Sequence, residues 1–285
     1  MSKLKIAIQK NGRLSEKSLE LLAECGVKLS TNDRKLKAEA SNFPVEVLFL
    51  RDDDIPQYVE EGVADIGIVG ENLVLETSKN VVTIRNLGFA LCRLSLAIPK
   101  DEQYDGLQYF RNKRIATSYP IILSRFLQEQ GIKATVEEIG GSVEIAPSIG
   151  LSDSIFDIVG TGSTLLMNGL KEVATVMKSE AVLIANKAMC EEKQDILAQL
   201  IFRMKAVSDA GCNKYILLNA PDNCIDKVIT LLPGIKSPTI TPLALQGWSS
   251  VHTVVKEQAF WDVIAQLKEV GAEGILVLDI EKMIA

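Results

Sequence analysis

Apolar positions recur along this chain in two rhythms. Short runs such as LKIAIQ (4–9), VEVLFLR (45–51) and ADIGIVG (64–70) are bounded by polar turns and predict strands. Between them, GRLSEKSLELLAECG (12–26) and DDIPQYVEEG (53–62) predict helices; in the first, Leu19, Leu22 and Ala23 share a face, Ser15 reads as the N-cap and Gly26 as the stop. Strand alternating with helix is the pattern of a parallel α/β sheet. CRLSLAIP (92–99) ends this first set. A second, smaller set follows in KRIATSYP (113–120), the helix IILSRFLQEQG (121–131), ATVEEIG (134–140) and SIFDIVG (154–160). The pattern therefore predicts two α/β lobes with a cleft between them: lobe I over 1–97 with a return segment at 179–209, and lobe II over 98–178.

The last seventy or so residues change rhythm. KYILLNA (214–220), IDKVITLLPG (225–234), PTITPLAL (238–245), SSVHTVVK (249–256), AFWDVIAQLKEVG (259–271) and GILVLDI (274–280) read strand, helix, strand, strand, helix, strand. That βαββαβ order is the ferredoxin-like arrangement. It predicts a separate domain over 210–285, entered through the helix at 195–211.

Composition narrows the class. At 285 residues, with 47% hydrophobic and 24% charged residues, the chain has the make-up of a globular protein of two or three units. No secretory signal opens it and no run reaches the length of a membrane span, so a cytoplasmic protein with no membrane partner is expected. Five cysteines without CxxC spacing and a single histidine form no zinc set, and the cysteines read as buried free thiols. A net charge of −6 excludes a general nucleic-acid binder, whose affinity needs a broad basic surface. Any anionic ligand must be met locally.

DIVGTGSTL (157–165) is where that meeting is expected. A turn between a strand and a helix offers backbone N–H groups and a favourable dipole to an anion. Gly160 and Gly162 permit close approach, and Thr161, Ser163 and Thr164 add hydroxyl donors. The guest expected is a phosphate, although a plain strand-to-helix connection remains the alternative. The turn lacks the lysine of a Walker loop and the last glycine of a dinucleotide fingerprint. Asp157, at the strand end, is placed to accept hydrogen bonds from sugar hydroxyls.

Cations are expected beside it. Lys10, Arg13, Arg51, Arg93 and the pair Lys113 and Arg114 fall at strand ends or strand-to-helix turns. Arginine suits phosphate through its planar, two-armed fork. Of Lys113 and Arg114, one points away. Asp52, Asp53 and Asp54 either bind magnesium or cap a helix and orient arginine, the second reading being preferred. Glu71 reads as a cleft residue, and Glu144 as facing substrate or pairing with a lysine. His252 reads as structural, or as polar lining of an effector site.

The stretches QKNGRLS (9–15), RDDDIP (51–56), DIGIVGEN (65–72), CRLSLA (92–97), KRIATSYP (113–120), GSVEIAP (141–147) and DIVGTGSTLLMNGL (157–170) together resemble the ATP phosphoribosyltransferase family. SPTITPL (237–243) and ILVLDIEKM (275–283) resemble its long form. The resemblance implies a two-lobed catalytic region of periplasmic-binding-protein-like fold with a C-terminal ferredoxin-like (ACT-like) domain. It implies condensation of ATP with phosphoribosyl pyrophosphate, Mg²⁺ as cofactor, histidine as feedback inhibitor, and a homo-oligomer, dimer and hexamer, without a separate regulatory subunit. By the same resemblance, the loop from Asp157 to Thr164 (Asp157, Thr161, Gly162, Ser163, Thr164) holds the ribose 5-phosphate, with Asp157 at the hydroxyls. Beside it, Arg13 and Lys10 are the candidates for catalysis, Arg13 otherwise capping a turn and Lys10 otherwise solvated or ion-paired. Arg51, Glu71, Arg93 and Glu144 are the candidate substrate contacts, with a solvated or ion-paired structural role the alternative for Arg93. Thr239, Gly271 and Ala272 are candidates for the effector site, with ordinary turn and helix-cap chemistry the alternative for each. No metal ligand is assigned. One departure is Gly160, where family members often carry serine. Two other classes fit the pattern less well: a solute-binding protein that holds its ligand without chemistry, and an amino-acid sensor built on the βαββαβ unit.

Overall fold

The computed structural model describes residues 2–30 and 36–284. It divides into two compact units, residues 1–20 with 27–196, and residues 21–26 with 197–285. The first unit contains β1 (Leu4–Gln9), the helix α1 (Arg13–Glu24, whose last residues belong to the second unit), β2 (Lys37–Glu39), β3 (Val45–Leu50), α2 (Ile55–Glu60), β4 (Ile66–Gly70), α3 (Glu71–Thr77), β5 (Val82–Asn86) and β6 (Cys92–Pro99). It continues through β7 (Arg114–Thr117), α4 (Pro120–Glu129), β8 (Thr135–Glu138), β9 (Ser154–Val159), α5 (Ser163–Met167), β10 (Leu170–Ser179) and β11 (Ala181–Ala185).

These strands make two sheets, ordered β2-β3-β1-β4-β11-β5 and β10-β6-β9-β7-β8. In the first, β1 pairs in parallel with β3 and β4. Ile6, Ala7 and Ile8, with Ile66, Ile68 and Val69, are fully buried, which explains why these strands read as continuous apolar runs instead of alternating. In the second, β7 is parallel to β8 and β9, while β6 runs antiparallel to β9 and β10. Phe110, Ile115, Leu123 and Phe156 lie in one core against this sheet, and Val143, Ile155 and Leu165 lie in another.

Several local expectations change. The expected lobe boundary after residue 97 falls inside β6, which hydrogen-bonds only to strands of the second sheet. β10 and β11 are strands that periodicity does not predict: β10 is half-exposed along most of its length and so carries no clean alternation. Ser15 lies inside α1 and is buried, so it is not the N-cap; the chain enters through Gly12, at φ +95°, whose carbonyl accepts the Glu16 N–H at 3.1 Å. The aspartates at 52 to 54 form a short 3-10 turn ahead of α2 and make no side-chain cap to it. Their arginine-orienting role does hold, since Arg51 Nη2 meets Asp53 Oδ2 at 2.9 Å.

The chain crosses between the sheets twice, from β5 to β6 and from β10 to β11, and the crossings lie side by side. Leu87 N donates to Ala181 O, and Ala181 N to Phe89 O, each at 2.9 Å. Glu180 accepts from Asn86 Nδ2 at 2.8 Å and from Gly88 N at 2.7 Å. A further tie runs between helices, where the Glu76 carboxylate of α3 accepts the Ile121 and Ile122 N–H groups at the start of α4 (2.8 and 2.9 Å). A carboxylate suits a helix N-terminus because it meets both free N–H groups and the positive end of the dipole.

The second unit contains α6 (Glu191–Gly211, from residue 197), β12 (Asn213–Pro221), α7 (Ile225–Leu231), β13 (Thr239–Pro242), β14 (Trp248–Lys256), α8 (Glu257–Glu269) and β15 (Glu273–Asp279). Its four strands, ordered β13-β14-β12-β15, are antiparallel throughout. Ile216, Leu218 and Val251 on one sheet face pack with Val228, Phe260 and Leu267 of the two helices. The expected ferredoxin-like order is present. No helix among the described residues is long and apolar enough to cross a membrane.

At Gly67 of β4, α2 lies tight against the first sheet. A Cβ there would stand 2.6 Å from Ile55 Cγ2 and 3.1 Å from Val59 Cγ2. Gly67→Ala is expected to destabilise the first unit by about 1–3 kcal/mol through overpacking, read as a lowered thermal midpoint; a midpoint equal to that of the parent chain would mean that α2 shifts freely.

Candidate active site

Lys10, Arg13, Arg51 and Glu71 all follow the carboxyl ends of the parallel strands β1, β3 and β4. Open α/β sheets bind ligands beyond those ends. Lys10 is exposed, and its N–H fixes the chain to Leu50 O at 2.8 Å. Arg13, the first residue of α1, is exposed, and its guanidinium has no hydrogen bond or ion pair among the described residues. Arg51 is occupied by Asp53. Glu71 opens α3, its N–H bonded to Glu180 O at 2.9 Å.

Across from Arg13 stands the expected turn. A cavity of about 770 Å³ is lined by Arg13, Ala90, Leu91, Cys92, Glu144 and every residue from Asp157 to Leu165. The sequence order strand, glycine turn, helix is realised by β9, Gly160–Gly162 and α5, with Gly162 at φ +83°. α5 is only five residues long, so its dipole is small and what the turn offers is N–H groups and hydroxyls. Thr161 Oγ1 and Ser163 Oγ lie 3.0 Å apart at the mouth. A Cβ added to Gly160 would meet nothing within 4 Å, so a serine there would find room.

Asp157 projects into this cavity from β9, and its carboxyl is pushed up to about 6 by burial, opposed by the Ile158 N–H it accepts at 2.7 Å and reinforced by Glu144. Tyr119, just before α4, is not singled out by the sequence. Its hydroxyl is held protonated by burial and then by the negative fields of Asp157 and Asp52, with Asn72 as a hydrogen-bonding neighbour. Those neighbours come from both sheets, so only the fold assembles them. Burial also raises the Cys92 thiol, Ser179 partly opposing it. The five cysteines are free, but only Cys25 is buried, and Cys190 and Cys212 are exposed because they fall at the ends of α6 and not in a core.

Arg93 takes the ion-paired place and not that of a substrate contact: its guanidinium is taken up by Glu172 and by the Gly160 carbonyl. Lys113 lies over the Tyr109 ring, 3.8 Å from its centroid, and Arg114 approaches Asp153 and Gly150, so both serve the scaffold. His252 is held between Tyr215 Oη (2.8 Å) and Ser250 Oγ (3.1 Å) on the second unit's sheet. Among the described residues no three His, Cys, Asp or Glu side chains group as a metal cage.

Two lobes joined by a double crossing, with a glycine and hydroxyl turn facing Arg13 across a cavity, define a protein of the periplasmic-binding-protein-like fold class. A histidine kinase sensor domain with similarity to periplasmic binding proteins (TM-score 0.50, 10% identity, covering 73% of this chain and 91% of that one) shares the fold. So does the substrate binding protein of an amino acid ABC transporter (TM-score 0.50, 11% identity, 74% and 95%). The ATP phosphoribosyltransferase family model matches residues 51–206, and the model of the HisG C-terminal domain matches residues 210–282. ATP phosphoribosyltransferases of Bacteroides thetaiotaomicron and Cytophaga hutchinsonii are each 58% identical over 281 residues, covering 99% of this chain and 99% and 98% of theirs. The solved ATP phosphoribosyl transferase (HisG:HisZ) complex from Thermotoga maritima is 30% identical, with a TM-score of 0.62 over 71% of this chain and 96% of that one. The chain belongs to the ATP phosphoribosyltransferase family, the transferases that open histidine biosynthesis.

An acid whose value is raised in the fold binds its proton more tightly there than in the unfolded chain, where the value stays near 3.8. Its contribution to stability is therefore complete below that value and is lost as pH rises through about 6. Asp157→Asn is expected to raise the melting temperature at pH 7 while leaving that at pH 4 nearly unchanged, an effect on the order of 1 kcal/mol once solvent screening is allowed for. Melting curves of both forms at the two pH values check it; equal gains at both would assign the change to packing.

Proposed function

We propose that ATP and phosphoribosyl pyrophosphate meet in the cavity between Arg13 and the Asp157–Thr164 turn, with the turn holding the ribose 5-phosphate. The observation that carries this reading is the convergence of Arg13, Asp157, Glu144 and the turn's hydroxyls on one cavity from two separate sheets. N1 of adenine attacks C1 of the ribose, the C1–O bond to pyrophosphate breaks, and positive charge grows on the sugar ring as negative charge grows on the leaving group. Asp157 accepts hydrogen bonds from the ribose hydroxyls. Arg13, with Lys10, meets the developing charge on the pyrophosphate, where a preorganised cation acts more strongly on the transition state than on the substrate. Arg51 and Glu71 line the approach of the second substrate, and Tyr119 supplies a neutral hydroxyl donor beside Asp157.

Magnesium fits this donor set as a metal brought in with the substrate, because it keeps its waters and binds through substrate phosphates and one or two carboxylates. Glu144 and Asp157 are the carboxylates that line the cavity. When bound, the metal would supply neutralising charge to the departing pyrophosphate.

Residues 210–285 are assigned as a regulatory domain that responds to histidine, working on lobes I and II of the catalytic region. Support comes from the match of the C-terminal family model over 210–282. Thr239 opens β13 at one edge of the sheet, whereas Gly271 lies against Pro221 at the end of β12, two strands over and four residues further along the register. Two strand spacings combined with four residues of rise come to roughly 16 Å, too far for one amino acid to span within a protomer. A site using both must form between copies, which accords with a homo-oligomer. With this domain in the chain, no separate regulatory subunit is needed.

Incubation with ATP, phosphoribosyl pyrophosphate and Mg²⁺, followed by the absorbance of the N1-substituted adenine, tests the reaction directly. Arg13→Ala is expected to lower turnover about a hundredfold with an unchanged melting curve, and Arg13→Lys to recover only part of it; wild-type kinetics in both would remove Arg13 from catalysis.

Thr239→Val is expected to weaken inhibition by histidine about tenfold, as one lost hydrogen bond does, without changing uninhibited turnover. Unaltered inhibition would place the effector elsewhere.

A further inference from the structure

Behind the turn, outside the lining of the cavity, Arg93 of β6 and Glu172 of β10 form a two-armed ion pair. Arg93 Nε donates to Glu172 Oε1 at 2.6 Å and Nη2 to Oε2 at 2.5 Å. The Ser95 and Thr175 hydroxyls donate to the same Oε1 at 2.8 and 3.2 Å. The register of β10 against β6 shifts between Glu172 and Ala174, the kind of irregularity that re-aims a side chain beside a site. Thus oriented, the guanidinium has one arm left. Nη1 donates to Gly160 O at 2.8 Å.

That last bond fixes a peptide plane. No cis peptide occurs among the described residues, and in a trans peptide the carbonyl and the next N–H point in opposite directions. Gly160 and Thr161 line the cavity, whereas Arg93 and Glu172 do not. With its carbonyl drawn towards Arg93, the peptide turns the Thr161 N–H the other way, and that N–H has no protein acceptor among the described residues. A peptide beside glycine rotates at little steric cost, and nothing crowds the Gly160 Cα. Left unheld, it could present a carbonyl oxygen to the phosphate.

We propose that Arg93 and Glu172 are a positioning pair that locks the Gly160–Thr161 peptide with its N–H towards the bound phosphate. This rests on the reading of the turn as the 5-phosphate site, and it changes the part expected of Arg93 from a contact with substrate to a hold on the turn. Glu172 is well suited to anchoring the pair, because the Arg93 fork and the two hydroxyls hold its carboxyl down at about 2 and it stays charged throughout the working range.

Glu172→Gln separates the two roles. It keeps the size of the side chain and leaves the Arg93 charge in place but no longer anchored. If Arg93 is a lock, Glu172→Gln and Arg93→Met each raise the Kd and KM for phosphoribosyl pyrophosphate about tenfold, leave the Kd for ATP within about twofold, and combine with no further loss in the double variant. Arg93→Lys, which keeps charge but cannot reach three acceptors with one planar group, shows the same loss and stands in should Arg93→Met fail to fold. Titration with ribose 5-phosphate gives a readout apart from turnover: the Thr161 amide resonance moves in the parent protein and does not in the variants. Tighter or unchanged phosphoribosyl pyrophosphate binding in Glu172→Gln, with loss in Arg93→Met, would make Arg93 a direct phosphate ligand and overturn the lock. A Thr161 amide that responds equally in all forms would overturn it too. Failure of the folded parent protein to bind phosphoribosyl pyrophosphate would instead sink the reading of the turn itself.

Discussion

The double crossing between the two sheets is the constraint on which the catalytic unit depends. One segment leads from β5 to β6 and another returns from β10 to β11, and Glu180, with the main chain at Leu87, Phe89 and Ala181, binds them together. Two bonded crossings restrict how one sheet can move relative to the other far more than a single linker would. Because β11 returns beside β4, the carboxyl end of the first sheet, bearing Lys10, Arg13 and Glu71, is held in register with the turn after β9. Glu76 adds a third tie by capping α4 from α3.

The site also shows how one residue type is made to serve opposite ends. Asp157 and Glu172 lie on neighbouring parts of the second sheet, yet the first is raised to about 6 and the second lowered to about 2. Burial dominates for Asp157, which receives one backbone N–H and faces Glu144. Paired hydrogen bonds dominate for Glu172. Divergent environments of this sort separate a residue kept for ligand chemistry from one kept for architecture. The cost of Asp157 is carried by the fold, a common trade at sites that must await a partner. In a chain with a net charge of −6, an anionic substrate is met by few cations, so the direction of each backbone N–H in the turn carries corresponding weight.

The second unit follows a different logic. One face of its sheet is closed by α7 and α8, and its two outer strands are β13 and β15. Leu276 and Leu278 remain about half-exposed on β15, and Thr239 is exposed on β13. Edges of this kind are suited to contact with further copies of the chain.

What the sequence determined by itself was local and periodic. The buried parallel strands β1, β3 and β4 announce themselves as apolar runs, the βαββαβ order of the second unit is readable from its rhythm, and the glycine and hydroxyl turn at 160–164 is visible as a composition that few other local structures need. The failures share a cause, which is that their signals are not local. β10 is half-exposed and irregular in register, so it has no period to read. β6 ends an apolar run like any other, and only its partners β9 and β10 assign it to the second sheet. Ser15 has the chemistry of a cap but sits one turn too late, because Gly12 supplies the conformation that lets the helix begin at Arg13. Arg93 carries the charge that a phosphate wants, and nothing in its neighbours along the chain reveals Glu172, seventy-nine positions away. Tyr119 acquires its surroundings only when Asp52 and Asp157 are brought to it from different sheets. Periodicity and turn chemistry act within a few residues, so the sequence states them; pairing of charges and assembly of a cavity act across folded distance, so tertiary structure alone decides them.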